Sequence, residues 1–207
     1  MPKLLLWGAG AHGRVVHDLA WACGYRDLAF VDDNLSADCV CGCPVLRPSD
    51  ERIGRYTHFV VSVGDNQARA RCFEAALREG LEPVVLIHPS AVISLSAVVG
   101  LGTMVLPRVV VGAEASIGED CILNTACVVE HNSKVSDHVH LAVGAIIGGD
   151  VTLEPFVEAG MGAVVLSRLR IGREAVLGAG AVAIRSVGAG SVVAGVPAKL
   201  LREVTPA

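Results

Sequence analysis

From Ile87 to Ile122 the chain reads IHPSAV ISLSAV VGLGTM VLPRVV VGAEAS IGEDCI, six residues at a time. Each block opens on Ile or Val. The spacing then runs on through Leu123, Val129, Val135, Leu141, Ile147, Leu153, Ala159, Val165, Ile171 and Leu177, where only Ala159 is not Val, Ile or Leu. If about a third of positions carried those three types by chance, such a run would arise roughly once in a million trials. Four residues after each aliphatic stands a small or β-branched side chain: Ala91, Ala97, Thr103, Val109, Ala115, Cys121, Cys127, Ser133, Val139 and Ala145. Glycine often follows the aliphatic directly, as at Gly100, Gly112, Gly118, Gly148, Gly172 and Gly178. A period of six suits neither an amphipathic helix nor a hairpin array. It is the signature of a parallel β-helix of hexapeptides, three to a triangular coil. The aliphatic residue points into the prism, the small one takes the tight interior position, and each coil packs only on its neighbours. No insertion breaks the register, so no long loop leaves the coils.

Ahead of the repeat, residues 1–86 alternate between strand and helix patterns. Lys3–Trp7 is a short buried strand, and His12–Cys23 is a helix opened by a glycine-rich turn. Leu28–Val31 is a second strand, ending in Asp32 and Asp33. His58–Val63 is a third, Gln67–Glu79 a helix, and Pro83–Ile87 a fourth strand. This order implies a parallel sheet with helices packed on it. The chain therefore divides into an α/β domain over 1–86 and a β-helix over 87–207 that ends in a short tail.

Composition narrows the function. Of 207 residues 52% are hydrophobic but only 4% aromatic, with 23 glycines, which fits repeated thin layers better than one aromatic-centred core. A net charge of −4 argues against nucleic acid or an anionic membrane as partner. The apolar stretch Leu4–Trp7 is too short for a signal peptide core or a membrane span, so a soluble cytoplasmic protein is expected. Seven cysteines, an odd number, point to reduced thiols. Cys39, Cys41 and Cys43 alternate closely, but their spacing is not that of a zinc ribbon, and structural thiols are expected there.

Two constellations carry chemistry. Gly8-Ala9-Gly10-Ala11-His12-Gly13 lies between a strand and a helix, where backbone can approach a phosphate at the helix N-terminus. Asp32 and Asp33 follow about twenty residues on, as a ribose- or base-binding acid would. With only one mononucleotide-sized half available, a nucleotide or nucleotide-sugar pocket is expected rather than a hydride-transfer site. The second constellation is Asn124, Glu130, His131, Asn132, His138 and His140. Neither His131 nor His140 takes the inward aliphatic position, and an imidazole outside a prism has no packing role but titrates near neutral pH. His17, His58 and His88 read as structural. No GxSxG setting supports serine hydrolysis.

These pieces resemble the bacterial sugar acyltransferases that join a small Rossmann-like nucleotide-sugar domain to a left-handed β-helix. The likeness rests on WGAGAHGRV at 7–15, FVDD at 30–33, VGDN at 63–66, HPSAVIS at 88–94, LNTACVVEH at 123–131, HVHLAVGA at 138–145 and GVPAK at 195–199. It implies acetyl-CoA as co-substrate, no bound cofactor or metal, and a homotrimer with active sites between subunits. His131 falls on the family's general base, with Glu130 and Asn132 beside it. Gly10, Ala11, His12, Asp32, Asp33 and Gly64 fall where relatives hold the nucleotide sugar. His140, Met161 and Ala179 fall beside the donor. Relatives usually carry Asp or Glu directly after the base; Asn132 supplies an amide that adds no charge to raise imidazole basicity. The expected reaction is N-acetylation of a nucleotide-linked amino sugar, 4-amino in type, by direct attack on the thioester. The alternatives are O-acetylation of a sugar of the sialic acid type, a metal enzyme of γ-carbonic-anhydrase type using His131, His138 and His140, and a non-enzymatic nucleotide-sugar sensor.

Overall fold

Backbone hydrogen bonds from coil to coil set the architecture beyond Leu86. In the computed structural model, which describes residues 3–203, two-residue strands stack in parallel register: Val110 pairs with Val128 and Val128 with Ile146. Between the strands, corner groups do the same, as Gly112 N–H to the Val129 carbonyl at 2.7 Å and Asn132 N–H to the Ala113 carbonyl at 2.9 Å. The result is a left-handed β-helix with three faces. In each strand the second residue points inward, and Val105 through Leu177, with Ala115, Cys121, Cys127 and Val139, form one buried core. The first coil leaves the prism open at its start, where Ile87 is 38% exposed.

The glycines that follow the inward aliphatics answer coil spacing rather than backbone conformation. A Cβ on Gly100 would lie 2.5 Å from the Gly118 carbonyl, and one on Gly112 2.7 Å from the His131 nitrogen. The left-handed corner falls two residues later and is filled mostly by other residues, including Glu114, Asp120, Asn132, His138 and Asp150 at φ of 58, 50, 59, 59 and 58°.

The outward residues distinguish the faces. One face carries Leu86, Met104, Ile122, His140 and Glu158; its first three are fully buried against the N-terminal domain. The chain turns next onto a face whose outward column is Val92, Val110, Val128, Ile146, Val164 and Val182. Val92, Val110 and Ile146 are 63, 37 and 43% exposed, so among the described residues this apolar ladder is left partly open to solvent. The third face presents Val98, Ser116, Lys134, Thr152 and Arg170.

The N-terminal domain has β1 (Leu4–Trp7), α1 (Ala11–Ala22), β2 (Leu28–Val31), β3 (Cys39–Val40), β4 (Cys43–Leu46), β5 (His58–Val61), α2 (Asn66–Arg78) and β6 (Glu82–Pro83). Its sheet order is β3-β4-β2-β1-β5-β6, parallel except for β3. The strand expected over Pro83–Ile87 divides. Glu82–Pro83 pairs with β5, whereas Leu86–Ile87 is the first rung of the prism, paired with Met104–Val105. The closely alternating Cys39, Cys41 and Cys43 lie in the β3–β4 hairpin, which turns on Cys41 and Gly42, both at positive φ. Val40 faces Cys43 and Cys39 faces Pro44, so alternation puts Cys39 and Cys43 on opposite sides of the hairpin.

A buried ion network joins the two units. Arg69 of α2 is 0% exposed. Its guanidinium donates to the carbonyls of Asp120 (2.8 Å) and His138 (2.8 Å), to those of Val63 and Gly64, and to Asn66 Oδ1 (2.7 Å). Its Nε lies 3.3 Å from Asp120 Oδ2, which also meets His138 Nδ1 at 2.8 Å. Burial pushes the Asp120 carboxyl up, against the opposing pull of His138 and Arg69. Breaking such a pair strands the remaining charge, so Arg69→Ala should cost about 3–5 kcal/mol in urea unfolding. A loss below about 1 kcal/mol, the scale of an exposed pair, would show that this network does not hold the junction.

Candidate active site

In the N-terminal sheet the strand order reverses at β1, with β2 on one side and β5 on the other. Ligands of open α/β sheets bind in the crevice outside the carboxyl ends of the strands at such a point. Here the crevice is walled by Gly8–His12 after β1 and by Ser62–Gly64 after β5, laced together by Ser62 Oγ to the Gly8 carbonyl at 2.6 Å. Gly13 is needed for this turn, since a Cβ there would lie 2.4 Å from the Gly8 carbonyl oxygen. Gly10 caps α1 with no side-chain hydrogen bond, and the first turn carries no acid. By contrast, Asp65 caps α2 by accepting from Ala68 N–H at 2.7 Å. The N-terminus of α1 is thus the one left open toward an anion.

Asp32 and Asp33 differ in what they do. Asp32 accepts from the N–H groups of Ala9 (2.8 Å), Asn34 (2.9 Å) and Leu35 (2.9 Å), so it shapes the glycine turn from β2. Burial works against its charge, but those N–H groups and Arg47 hold its carboxyl below the usual range. Asp33 is exposed, and its Oδ1 accepts from Asn34 Nδ2 at 2.7 Å.

The prism closes the crevice. His140 stands on the covered face, next in its column to buried Ile122, with its ring centroid 6.4 Å from that of His12. Burial first, then Arg69, lowers both imidazoles to about 4, so both are neutral near pH 7. His12 Nε2 is buried without a partner among the described residues, and Asn124 Nδ2 is 3.5 Å from His140 Nε2. Gly10, Ala11, His12, Gly64 and His140 therefore gather at one junction. Met161 and Ala179 lie exposed on the corner between the covered and apolar faces, one coil apart.

The remaining histidines scatter. His131 is exposed on the corner between the apolar and polar faces, its ring lying against Gly149 of the next coil. His138 sits on the corner between the polar and covered faces, bound to Asp120 and stacked on Phe156 at 4.9 Å. The three imidazoles that a sequence reader would gather around a metal occupy two separate corners and a face. Among the described residues no group of three or more His, Cys, Asp or Glu is arranged to hold a metal ion. Asn132 does not turn toward the imidazole, for its amide donates to Asp150 Oδ1 at 3.1 Å. Glu130 is exposed. Sequence reasoning missed Arg69, which anchors this arrangement. Its signal was faint: an arginine on the apolar side of a helix pattern.

The lowered histidines make stability depend on pH. Unfolded, each imidazole titrates near 6.5; folded, near 4. Below 6.5 the unfolded chain binds protons that the folded chain refuses, so stability is full above pH 6.5 and falls toward pH 4, by roughly 3 kcal/mol per histidine. Unfolding free energies of a His12→Gln/His140→Asn variant should flatten across that window. An unchanged slope would overturn the assignment.

Residues 3–76 match the family model described as the PglD N-terminal domain. The chain is 32% identical over 183 residues to GDP-perosamine N-acetyltransferase of Escherichia coli, covering 84% of this chain and 82% of that protein. It superposes on PerB from Caulobacter crescentus, solved in complex with CoA and GDP-perosamine, with a TM-score of 0.90 and 31% identity over 98% of each chain. It also superposes on the acetyltransferase domain of PglB from Neisseria gonorrhoeae, with a TM-score of 0.91 and 35% identity over 97% of this chain and 100% of that one.

Proposed function

The chain belongs to the sugar acyltransferase family of the β-helix type, and on that premise we propose that it moves acetyl from acetyl-CoA onto the amino group of a nucleotide-linked amino sugar. Acetyl-CoA is a co-substrate, consumed in each turnover. The observation that carries this reading is the full-length match to an enzyme solved with CoA and GDP-perosamine. The open α1 N-terminus beside two neutral imidazoles supports it. Residues 1–86 hold the nucleotide sugar, with Gly10, Ala11, His12 and Gly64 lining the phosphate end and Asp33 facing outward. Residues 87–207 hold the donor along the corner of Met161 and Ala179, below His140.

The acceptor amine, 4-amino in our reading, attacks the thioester carbonyl. The N–C bond forms, the C–S bond breaks, and coenzyme A leaves. His131 takes the proton from the amine and returns it to the departing sulfur, while a backbone N–H of the coils meets the oxyanion. No covalent enzyme intermediate is needed. Within one chain, however, the His131 corner and the donor corner stand on opposite sides of the apolar face. Packing three copies through the column Val92–Val182 would bring the base corner of one subunit to the donor corner of the next, and would cover a ladder that water otherwise meets. The active site is then shared between subunits of a homotrimer. No helix among the described residues is long and apolar enough to cross a membrane; free cysteines and this donor fit a cytoplasmic setting.

Thiol release from acetyl-CoA should occur with one of a panel of GDP-, UDP- and dTDP-linked 4-amino sugars; silence across the panel despite donor binding would overturn the acceptor class. His131→Ala should lower kcat by about 10²–10⁴-fold with little change in KM, and near wild-type turnover would remove His131 from the mechanism. Ile146→Asp in the apolar ladder should give monomers by sedimentation and no transfer. Persisting trimers would point to another interface, whereas active monomers would rule out a shared site.

A further inference from the structure

His131 and Gly149 occupy the same corner position in successive coils, and Gly149 directly follows Gly148. The two glycines answer different demands. A Cβ on Gly148 would lie 2.8 Å from the Ser167 backbone nitrogen and 3.0 Å from the Val165 carbonyl oxygen, so coil spacing forbids it. A Cβ on Gly149 would meet something else first. Its three nearest atoms all belong to the His131 imidazole, with Nε2 at 2.6 Å, Cε1 at 2.7 Å and Cδ2 at 3.2 Å. Nor does the backbone call for glycine, because φ at Gly149 lies outside the left-handed region.

The His131 main chain is tied on both sides: Asp150 N–H donates to its carbonyl at 3.0 Å, and the next residue's N–H reaches the Ala113 carbonyl at 2.9 Å. Asn132 is clamped in turn to Asp150. The imidazole itself has no hydrogen-bond partner among the described residues, so packing alone sets its direction. We infer that Gly149 is a positioning residue for acetyl transfer: its bare Cα is the seat on which the His131 ring rests, and that seat fixes where Nε2 meets the acceptor. The inference rests on the reading of His131 as general base.

A methyl group at this position displaces a side chain that can turn about χ1, not a backbone, so the coil keeps its form while the base moves. Displacement by about 1 Å costs on the order of 10²-fold in rate. Gly149→Ala should therefore fold with the wild-type Tm, keep KM for donor and acceptor, and lose about 10²-fold in kcat. Gly148→Ala should instead lower the Tm. The deciding measurement is the double variant. If Gly149 acts only through His131, then Gly149→Ala costs nothing further once His131→Ala is present. Near wild-type activity of His131→Ala alone would remove the base reading. A crippled His131→Ala beside a Gly149→Ala of full kcat would overturn the seat and leave the base standing. Equal kcat losses from Gly149→Ala in both backgrounds, or failure of Gly149→Ala to fold, would also overturn the seat.

Discussion

The hydrogen-bonded ladder between coils decides which side chain stands over which. Once the chain commits to three hexapeptides per turn, every residue is stacked on the one a full coil away. Asp120 then lies under His138, Asn132 under Asp150 and His131 against Gly149. None of these pairs is close in sequence, and each follows from the register alone. The same ladder sets the spacing that excludes a Cβ at Gly100 and Gly112. It also lets Glu114, Asp120 and His138 adopt left-handed backbone, a conformation that costs roughly 1–2 kcal/mol for residues other than glycine.

On this frame the N-terminal domain is fixed by apolar packing and by one buried charge network. Leu86, Met104 and Ile122 point outward from the prism, yet are as buried as its core because β1 and α1 cover them. Arg69 threads between the units and satisfies carbonyls from both, two from the loop after β5 and two from the coils. Replacing a buried pair by apolar residues often stabilises a protein, so the net worth of this one in free energy is small. Its contribution is orientation. It ties the Val63–Gly64 loop to the coils that carry Asp120 and His138, and so sets His12 opposite His140.

Burial gives the histidines different chemical characters. His12 and His140 lie in a crevice beside a guanidinium, which keeps them neutral and makes them hydrogen-bonding groups rather than charges. His138 belongs to the junction. His131, on an open corner next to the apolar face, is exposed and has no hydrogen-bond partner among the described residues. The general base we propose there would complete its site only against a second molecule.

The sequence by itself determined the prism, because a period of six is local and each aliphatic from Ile87 to Leu177 repeats the same instruction. It also determined the glycine turn between β1 and α1, where Gly13 answers a steric demand within one strand–helix connection. Less legible were the hairpin at Cys39–Leu46, whose turn uses left-handed Cys41, and the end of the first domain, where Pro83–Ile87 looks continuous but serves two sheets. The histidines between 131 and 140 read as one cluster. Only the tertiary structure separated them, because neighbours nine residues apart in a triangular coil sit one and a half sides apart. The tertiary structure also decided that Arg69 is buried and that Gly149 lies beneath His131. Those facts depend on what packs against a residue from a coil or a domain away, and no local pattern records that.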